Sequence, residues 1–172
     1  PIQMRQNRRD ALKGADLTIL AGAVCDFRLS YGRNLSKKSK IVSINRNYDQ
    51  LHKNEKAFWN ADLAIQADVG STILGAAKAV KLPSPSPFKE WIDELKTSDL
   101  AKEAANAKKA DGPTTDGHLN PLKFLAQLDK ALPDDAILVA DGGDFVGSAA
   151  YIVKPRGPLQ WLDPGAFGTL GV

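Results

Sequence analysis

The chain has 172 residues, enough for one ordinary domain or parts of two. Hydrophobic residues make up 43% and charged residues 25%, which excludes disordered and collagen-like classes. A net charge of +3 with a pI near 9.0 is too small a bias to predict a nucleic-acid partner. The small basic clusters, Arg5–Arg8–Arg9–Lys13 and Lys37–Lys38–Lys40, read as a solvated helix face and a polar turn. The single cysteine, Cys25, excludes an intramolecular disulfide. No apolar run reaches the length of a membrane span. The chain opens at Pro1 and ends on the Gly-rich apolar stretch GAFGTLGV, which reads as a piece of a longer protein.

In chain order, residues 4–14 predict a basic helix ending at Gly14. Leu17 to Leu20 form a short apolar run bounded by Asp16 and Gly22, as in a buried parallel strand. Residues 40–45 predict a second strand, 63–67 a short third one and 70–81 a helix. This order argues for an α/β fold with a parallel sheet. Residues 82–88, with three prolines and two serines, break it. A polar helix is expected over 88–110, with Trp91, Ile92 and Leu95 on one side, and a loop over 111–117.

A second α/β unit is expected from His118. Pro121 opens a helix over 121–132, with Leu122, Leu125, Leu128 and Leu132 on its apolar face. Residues 136–140 read as a strand, 141–144 as a turn and 145–153 as a helix. The fold class is therefore two partial parallel-sheet units. The expected layout is 1–81 for the first unit, 82–117 for a linker and 118–172 for the second.

Three stretches carry possible chemistry. The turn Asp141-Gly142-Gly143-Asp144 lies between a strand and a helix, where exposed N–H groups and the helix dipole suit a phosphate. An ordinary tight turn explains it equally well, and Asp144 opposes an anion unless it caps the helix or points away. Residues 162–171 hold Gly165, Gly168 and Gly171, consistent with backbone pressed against something flat or bulky, or with a flexible loop. GAVCDFR at 22–28 follows a strand but lacks the dinucleotide fingerprint, which favours a structural turn. Cys25 has no evident His partner and reads as a small buried apolar residue. His52 and His118 lack the spacing of a zinc site.

The run LPDDAILVADGGDF…PRGPLQWLDPGAFGTLGV resembles the opening of the diphosphate-binding domain of the acetolactate synthase and 2-hydroxyacyl-CoA lyase family. Asp141, Gly142, Gly143, Pro155, Arg156, Leu162, Asp163, Gly165, Gly168, Thr169, Leu170 and Gly171 fall into its pattern. The ending LDPGAFGTLGV is especially like the lyases. DLTILAGAVCDFRLSYGRNLSKKSKIVSINRNYDQLHKN is similar to the later part of the family's Rossmann-like central domain. The resemblance covers nearly the whole chain apart from 82–117.

The resemblance implies thiamine diphosphate and Mg²⁺ as cofactors of the parent enzyme. Gly142, Gly143, Asp144 and Phe145 fall where the family binds the diphosphate. Gly168 falls where a backbone carbonyl meets the aminopyrimidine, with Thr169 beside it, and Leu170 where an apolar side chain wedges beneath the cofactor. Gly22, Ala23, Val24, Cys25, Asn45, Arg46, Asp68 and Val69 fall where some members bind FAD or ADP. Against a nucleotide, Val24 stands where synthases carry Arg, and Asn45 and Asn47 replace an acidic pair. The family's activating glutamate and its magnesium motif have no counterpart here, so no catalytic or metal residue is expected in this chain, and the chain alone is expected to be inactive. The implied substrate is a 2-hydroxyacyl-CoA or a 2-oxo acid, and the implied parent a homodimer or homotetramer. A non-catalytic nucleotide-binding or assembly module derived from the family is the competing expectation.

Overall fold

A computed structural model describes residues 7–81, 83–114, 117–163 and 170–171. The chain divides into two compact units, Pro1–Lys96 and Thr97–Val172. The division falls within one long helix, α4 (Lys89–Ala110).

The first unit begins with α1 (Arg8–Gly14), followed by β1 (Leu17–Ala21). β2 (Lys40–Asn45), the short α2 (Tyr48–Leu51), β3 (Leu63–Gln66) and α3 (Val69–Ala79) complete it. The strands form a parallel sheet in the order β1-β2-β3. Its register pairs Leu17 with Lys40 and Ala21 with Ile44, then Val42 with Leu63 and Asn45 with Gln66. The expected α/β architecture is present.

The period of two in β1 turns Thr18 and Leu20 inward. Leu20, Cys25, Leu29, Leu35, Ile41 and Trp59 form the core there, with Leu12 of α1 packed against it. The buried hydroxyls are paired: Thr18 Oγ1 lies 3.1 Å from Ser39 Oγ, and Ser43 donates to the Leu51 carbonyl at 3.0 Å. The expectation that β1 is buried as a whole needs correction. Leu17 is 51% exposed and Ile19 47%, because this core lies on the Thr18/Leu20 side of the strand.

Between β1 and β2 the chain makes a 3₁₀ turn at Phe27–Gly32, kinked by positive φ at Ser30 (52°) and Tyr31 (56°). Gly32, at φ 97°, ends it against Trp59. A Cβ there would lie 2.7 Å from Trp59 Cδ1, so the position requires glycine.

In the second unit, α5 (Pro121–Ala131) packs on α6 (Asp144–Ile152). Asn120 caps α5, accepting from Leu122 N and Lys123 N, with Pro121 in the first turn. Its Nδ2 also donates to the Lys109 carbonyl at the end of α4, at 3.0 Å. Leu125, Ala149 and Val153 are buried together with Leu128, Leu132, Leu138 and Trp161 around them. Of the four leucines predicted for this face, Leu125, Leu128 and the C-cap Leu132 join the packed cluster, and Leu122 is not part of it.

The strand expected over 136–140 is shorter, β4 (Leu138–Val139). It pairs in parallel with β5 (Trp161–Leu162), which the sequence pattern did not predict. Two ladder bonds, Leu138 N to Gln160 O and Ala140 N to Leu162 O, set its extent.

Candidate functional site

The candidate site of the second unit grows from β4. Ala140 is the last residue bonded to β5, and the chain then turns through Asp141, Gly142 and Gly143 into α6. Gly143 is the N-cap of α6 at φ 81° and ψ −163°, a conformation open in practice to glycine alone. Asp144 and Phe145 are the first two residues of the helix, both exposed. The first N–H groups of a helix have no partner inside it and carry the positive end of its dipole. The Asp144 charge favours that dipole, but among the described residues no side chain caps α6. The condition that would reconcile it with an anion by capping is therefore not met.

Leu170 and Gly171 come back to this turn from the far end of the chain. A Cβ on Gly143 would lie 3.9 Å from Leu170 Cδ2, an ordinary contact. Asp141 joins the two segments: Oδ1 accepts from Gly142 N and Oδ2 from Gly171 N, each at 2.8 Å. These two backbone donors, Gly171 first, hold the Asp141 carboxyl below its ordinary range. The structure thus brings Gly142, Gly143, Asp144, Phe145 and Leu170 into one neighbourhood. Gly168 and Thr169 lie outside the described residues.

This turn fits the diphosphate of an organic cofactor in one respect and resists it in another. The glycine N-cap leaves the approach to the α6 N-terminus free of a Cβ, and Leu170 supplies an apolar surface, 68% exposed, beside it. Against this, Gly142 N–H is already donated to Asp141, which leaves donors from Gly143 onward for an anion.

The second group of predicted residues sits at the C-terminal ends of β1, β2 and β3, where open parallel sheets bind ligands. Gly22 follows β1 at φ 70°, and its N–H donates to Ile44 O at 2.8 Å. A Cβ there would lie 3.4 Å from Val69 Cγ2 at the start of α3. Ala23 is exposed and Val24 half-buried. Asn45 ends β2, and its Oδ1 accepts from Asn47 N. Arg46 Nη1 lies 3.9 Å from Asp68 Oδ2, a long, exposed ion pair of little energetic weight. Asp68 is the N-cap of α3 and accepts from Ser71 N at 2.8 Å. That bond, chiefly, lowers its carboxyl from the ordinary value.

Cys25 is 1% exposed. Burial, aided by the Asp26 charge, pushes its thiol up to about 11. A thiol so held is protonated at neutral pH and is no nucleophile. Among the described residues no group of three or more His, Cys, Asp or Glu could hold a metal, and no helix is long and apolar enough to cross a membrane.

No family model matches the chain. Over all 172 residues it is 69% identical to 2-hydroxyacyl-CoA lyase 2 of Caenorhabditis elegans, and 51% identical to that of Homo sapiens. The chain resembles 2-hydroxyacyl-CoA lyase 2 from end to end. It is 27% identical over 165 residues to a probable acetolactate synthase of Mycobacterium bovis, covering 95% of this chain and 28% of that relative. The resemblance to the acetolactate synthase and 2-hydroxyacyl-CoA lyase family therefore holds, with the lyase 2 proteins much the nearer to it of these relatives. The chain spans about a quarter of the length of these lyases, 27% in each case.

Several structural roles escaped the sequence reading. Pro155-Arg156 matched a family pattern without a role. Arg156 Nη1 donates to Asp129 Oδ1 at 2.7 Å and its Nη2 to the Asp129 carbonyl, while Lys154 N donates to the same carboxylate at 2.7 Å. This clamp fixes the segment after α6 against α5. In the first unit, Asn54 at φ 57° donates Nδ2 to Cys25 O at 3.0 Å, bracing the 22–25 turn. Both pairings join residues 27 or more positions apart, beyond any local signal.

Proposed function

We propose that the full-length protein is a thiamine-diphosphate- and Mg²⁺-dependent enzyme that breaks or makes C–C bonds next to a carbonyl, with 2-hydroxyacyl-CoA cleavage as its reaction. The observation that carries this reading is the glycine-capped turn between β4 and α6 with Leu170 beside it, in a chain 69% identical over its own length to a 2-hydroxyacyl-CoA lyase 2. In this reading the N–H groups of Gly143, Asp144 and Phe145 hold the diphosphate, with Gly142 forming the turn. Gly168 would meet the aminopyrimidine through its carbonyl, with Thr169 beside it in the cofactor-binding set, and Leu170 would support the cofactor with its apolar side chain. When bound, the cofactor supplies a nucleophilic carbon and an electron sink for the bond next to the carbonyl.

In the same reading, residues 1–81 are the end of a Rossmann-like central domain, 82–117 a linker and 118–172 the start of the diphosphate-binding domain. The nucleotide edge at Gly22, Ala23, Val24, Cys25, Asn45, Arg46, Asp68 and Val69 is a remnant of the fold without bound FAD or ADP. Val24, Asn45 and Asn47 support this, since each lacks the charge the family uses there. The 172-residue chain alone turns over nothing, and the parent works as a homodimer or homotetramer.

The test offers the full-length protein, with thiamine diphosphate and Mg²⁺, a long-chain 2-hydroxyacyl-CoA and pyruvate in parallel. Aldehyde formation without acetolactate is the expected result. Acetolactate without aldehyde would reverse the assignment to the synthase reaction. One observation favours a second reading, a non-catalytic module: the exposed acid Asp144 stands at the turn where an anion would bind. Neither product, with no cofactor bound, would establish it.

A further inference from the structure

The cofactor turn and the Leu170 segment belong to parts of the chain thirty residues apart, and one side chain joins them. We infer that Asp141 is a positioning residue: its carboxylate sets the spacing between the Gly143 turn, which faces the diphosphate, and Leu170, which supports the rest of the cofactor. The inference rests on the cofactor reading above and adds to it a residue that touches no cofactor atom.

The geometry is specific. Oδ1 accepts from Gly142 N and Oδ2 from Gly171 N, both at 2.8 Å, so each oxygen serves one segment. An ionised carboxylate accepts at both oxygens and donates at neither, which makes Asp the fitting residue for two facing N–H groups. Gly142 is the neighbour of the N-cap Gly143, and Gly171 the neighbour of Leu170, so both anchored amides lie one peptide from the groups that would meet the cofactor. Leu170 Cδ2 lies 3.9 Å from where a Cβ on Gly143 would stand, and this is the spacing the tether sets. Gly171 itself sits at φ 81°, so its N–H is aimed by a backbone conformation that glycine tolerates. Asn at 141 can accept at one oxygen only and turns its amide N–H₂ toward the other donor. Ala accepts at neither.

The experiment uses the full-length protein with Asp141→Asn and Asp141→Ala. Thiamine diphosphate affinity is measured by calorimetry at saturating Mg²⁺, and hydrogen exchange of the peptide containing Gly171 is followed without cofactor. The expected result is a graded one. Asp141→Ala weakens cofactor affinity about tenfold or more and speeds Gly171 exchange, with Asp141→Asn between it and the wild type. Unchanged affinity in Asp141→Ala, with or without faster exchange, overturns the inference and leaves the cofactor reading standing. Absence of binding to the wild-type protein overturns both, and so separates the two failures.

Discussion

Gly143→Ala is the substitution whose effect follows most directly from the structure. The residue sits at φ 81° and ψ −163°, where a Cβ collides with its own backbone and glycine is nearly alone in residing. Neighbouring atoms do not add to the penalty: the added Cβ meets Leu170 Cδ2 at 3.9 Å, ordinary van der Waals distance. The cost is therefore the backbone term by itself, about 1–3 kcal/mol for a side chain held in such a region. The alanine chain escapes that cost by leaving the conformation, and binding must restore it. Restoring it lowers cofactor affinity by roughly 5- to 150-fold. Calorimetric titration of the full-length protein with thiamine diphosphate and Mg²⁺ reads this directly. Gly147→Ala is the control: nothing lies within 4 Å of its Cβ and it is inside α6, so alanine stabilises the helix by about 0.5–1 kcal/mol and leaves affinity alone. Wild-type affinity in Gly143→Ala would refute the reasoning, since the turn would then not need its conformation to hold the cofactor.

Gly32→Ala combines φ 97° with a 2.7 Å approach to Trp59 and is expected to cost about 3 kcal/mol of local stability, read as faster hydrogen exchange in β1 and β2. Trp59→Ala in the same molecule removes the ring atoms but keeps a Cβ 2.8 Å from the added one, so it relieves only part of the clash, and the double-mutant cycle is expected to be non-additive by about 1 kcal/mol. Cys25, buried and with its thiol raised to about 11, is expected to resist alkylation in the native protein at pH 8 and to react on unfolding. Its raised value adds stability that is complete below the ordinary thiol value of 9.0 and is lost as pH climbs from there toward 11, which unfolding midpoints across that window will show. For Asp129, burial pushes the carboxyl up, but the Arg156 bond, the Lys154 N–H and both positive charges outweigh it, and the net shift is downward. Its stabilisation is expected to be present above the ordinary carboxyl value of 3.8 and lost as pH falls through the lower folded value. Asp129→Ala leaves the Arg156 guanidinium and Lys154 N–H without this partner and is expected to cost about 2 kcal/mol in denaturant melts.

How far the sequence anticipates the structure depends on how local each cause is. β2 matches 40–45 because KIVSIN carries its own β-branched run, and α5 is announced by Asn120, Pro121 and its leucines. β5 escaped because two residues after Pro-Arg-Gly-Pro make no periodic pattern, and they become a strand by pairing with β4, 23 positions earlier in register. The reversal at Ser30 and Tyr31 escaped for a related reason: neither residue favours positive φ, and the packing of Gly32 against Trp59 holds them there. Leu17 and Ile19 read as buried because apolarity tells that a face wants cover, not whether these residues supply it.

The candidate site divides along the same line. Its turn is legible because glycine and the strand-to-helix switch are adjacent in sequence. What turns that motif into a site is the return of Leu170 and Gly171, and the sequence shows the two glycine stretches without showing that they meet. Asp141 is where the two kinds of information join: one of its hydrogen bonds goes to its neighbour Gly142, the other to Gly171. A residue in a turn that caps its own loop with one oxygen and a distant segment with the other binds local order to tertiary order. Loss of that second bond would leave a correctly formed turn and a correctly formed Leu170 segment at the wrong distance. A cofactor that touches both reads such an error as weaker binding, while a ligand that touched the turn alone would not.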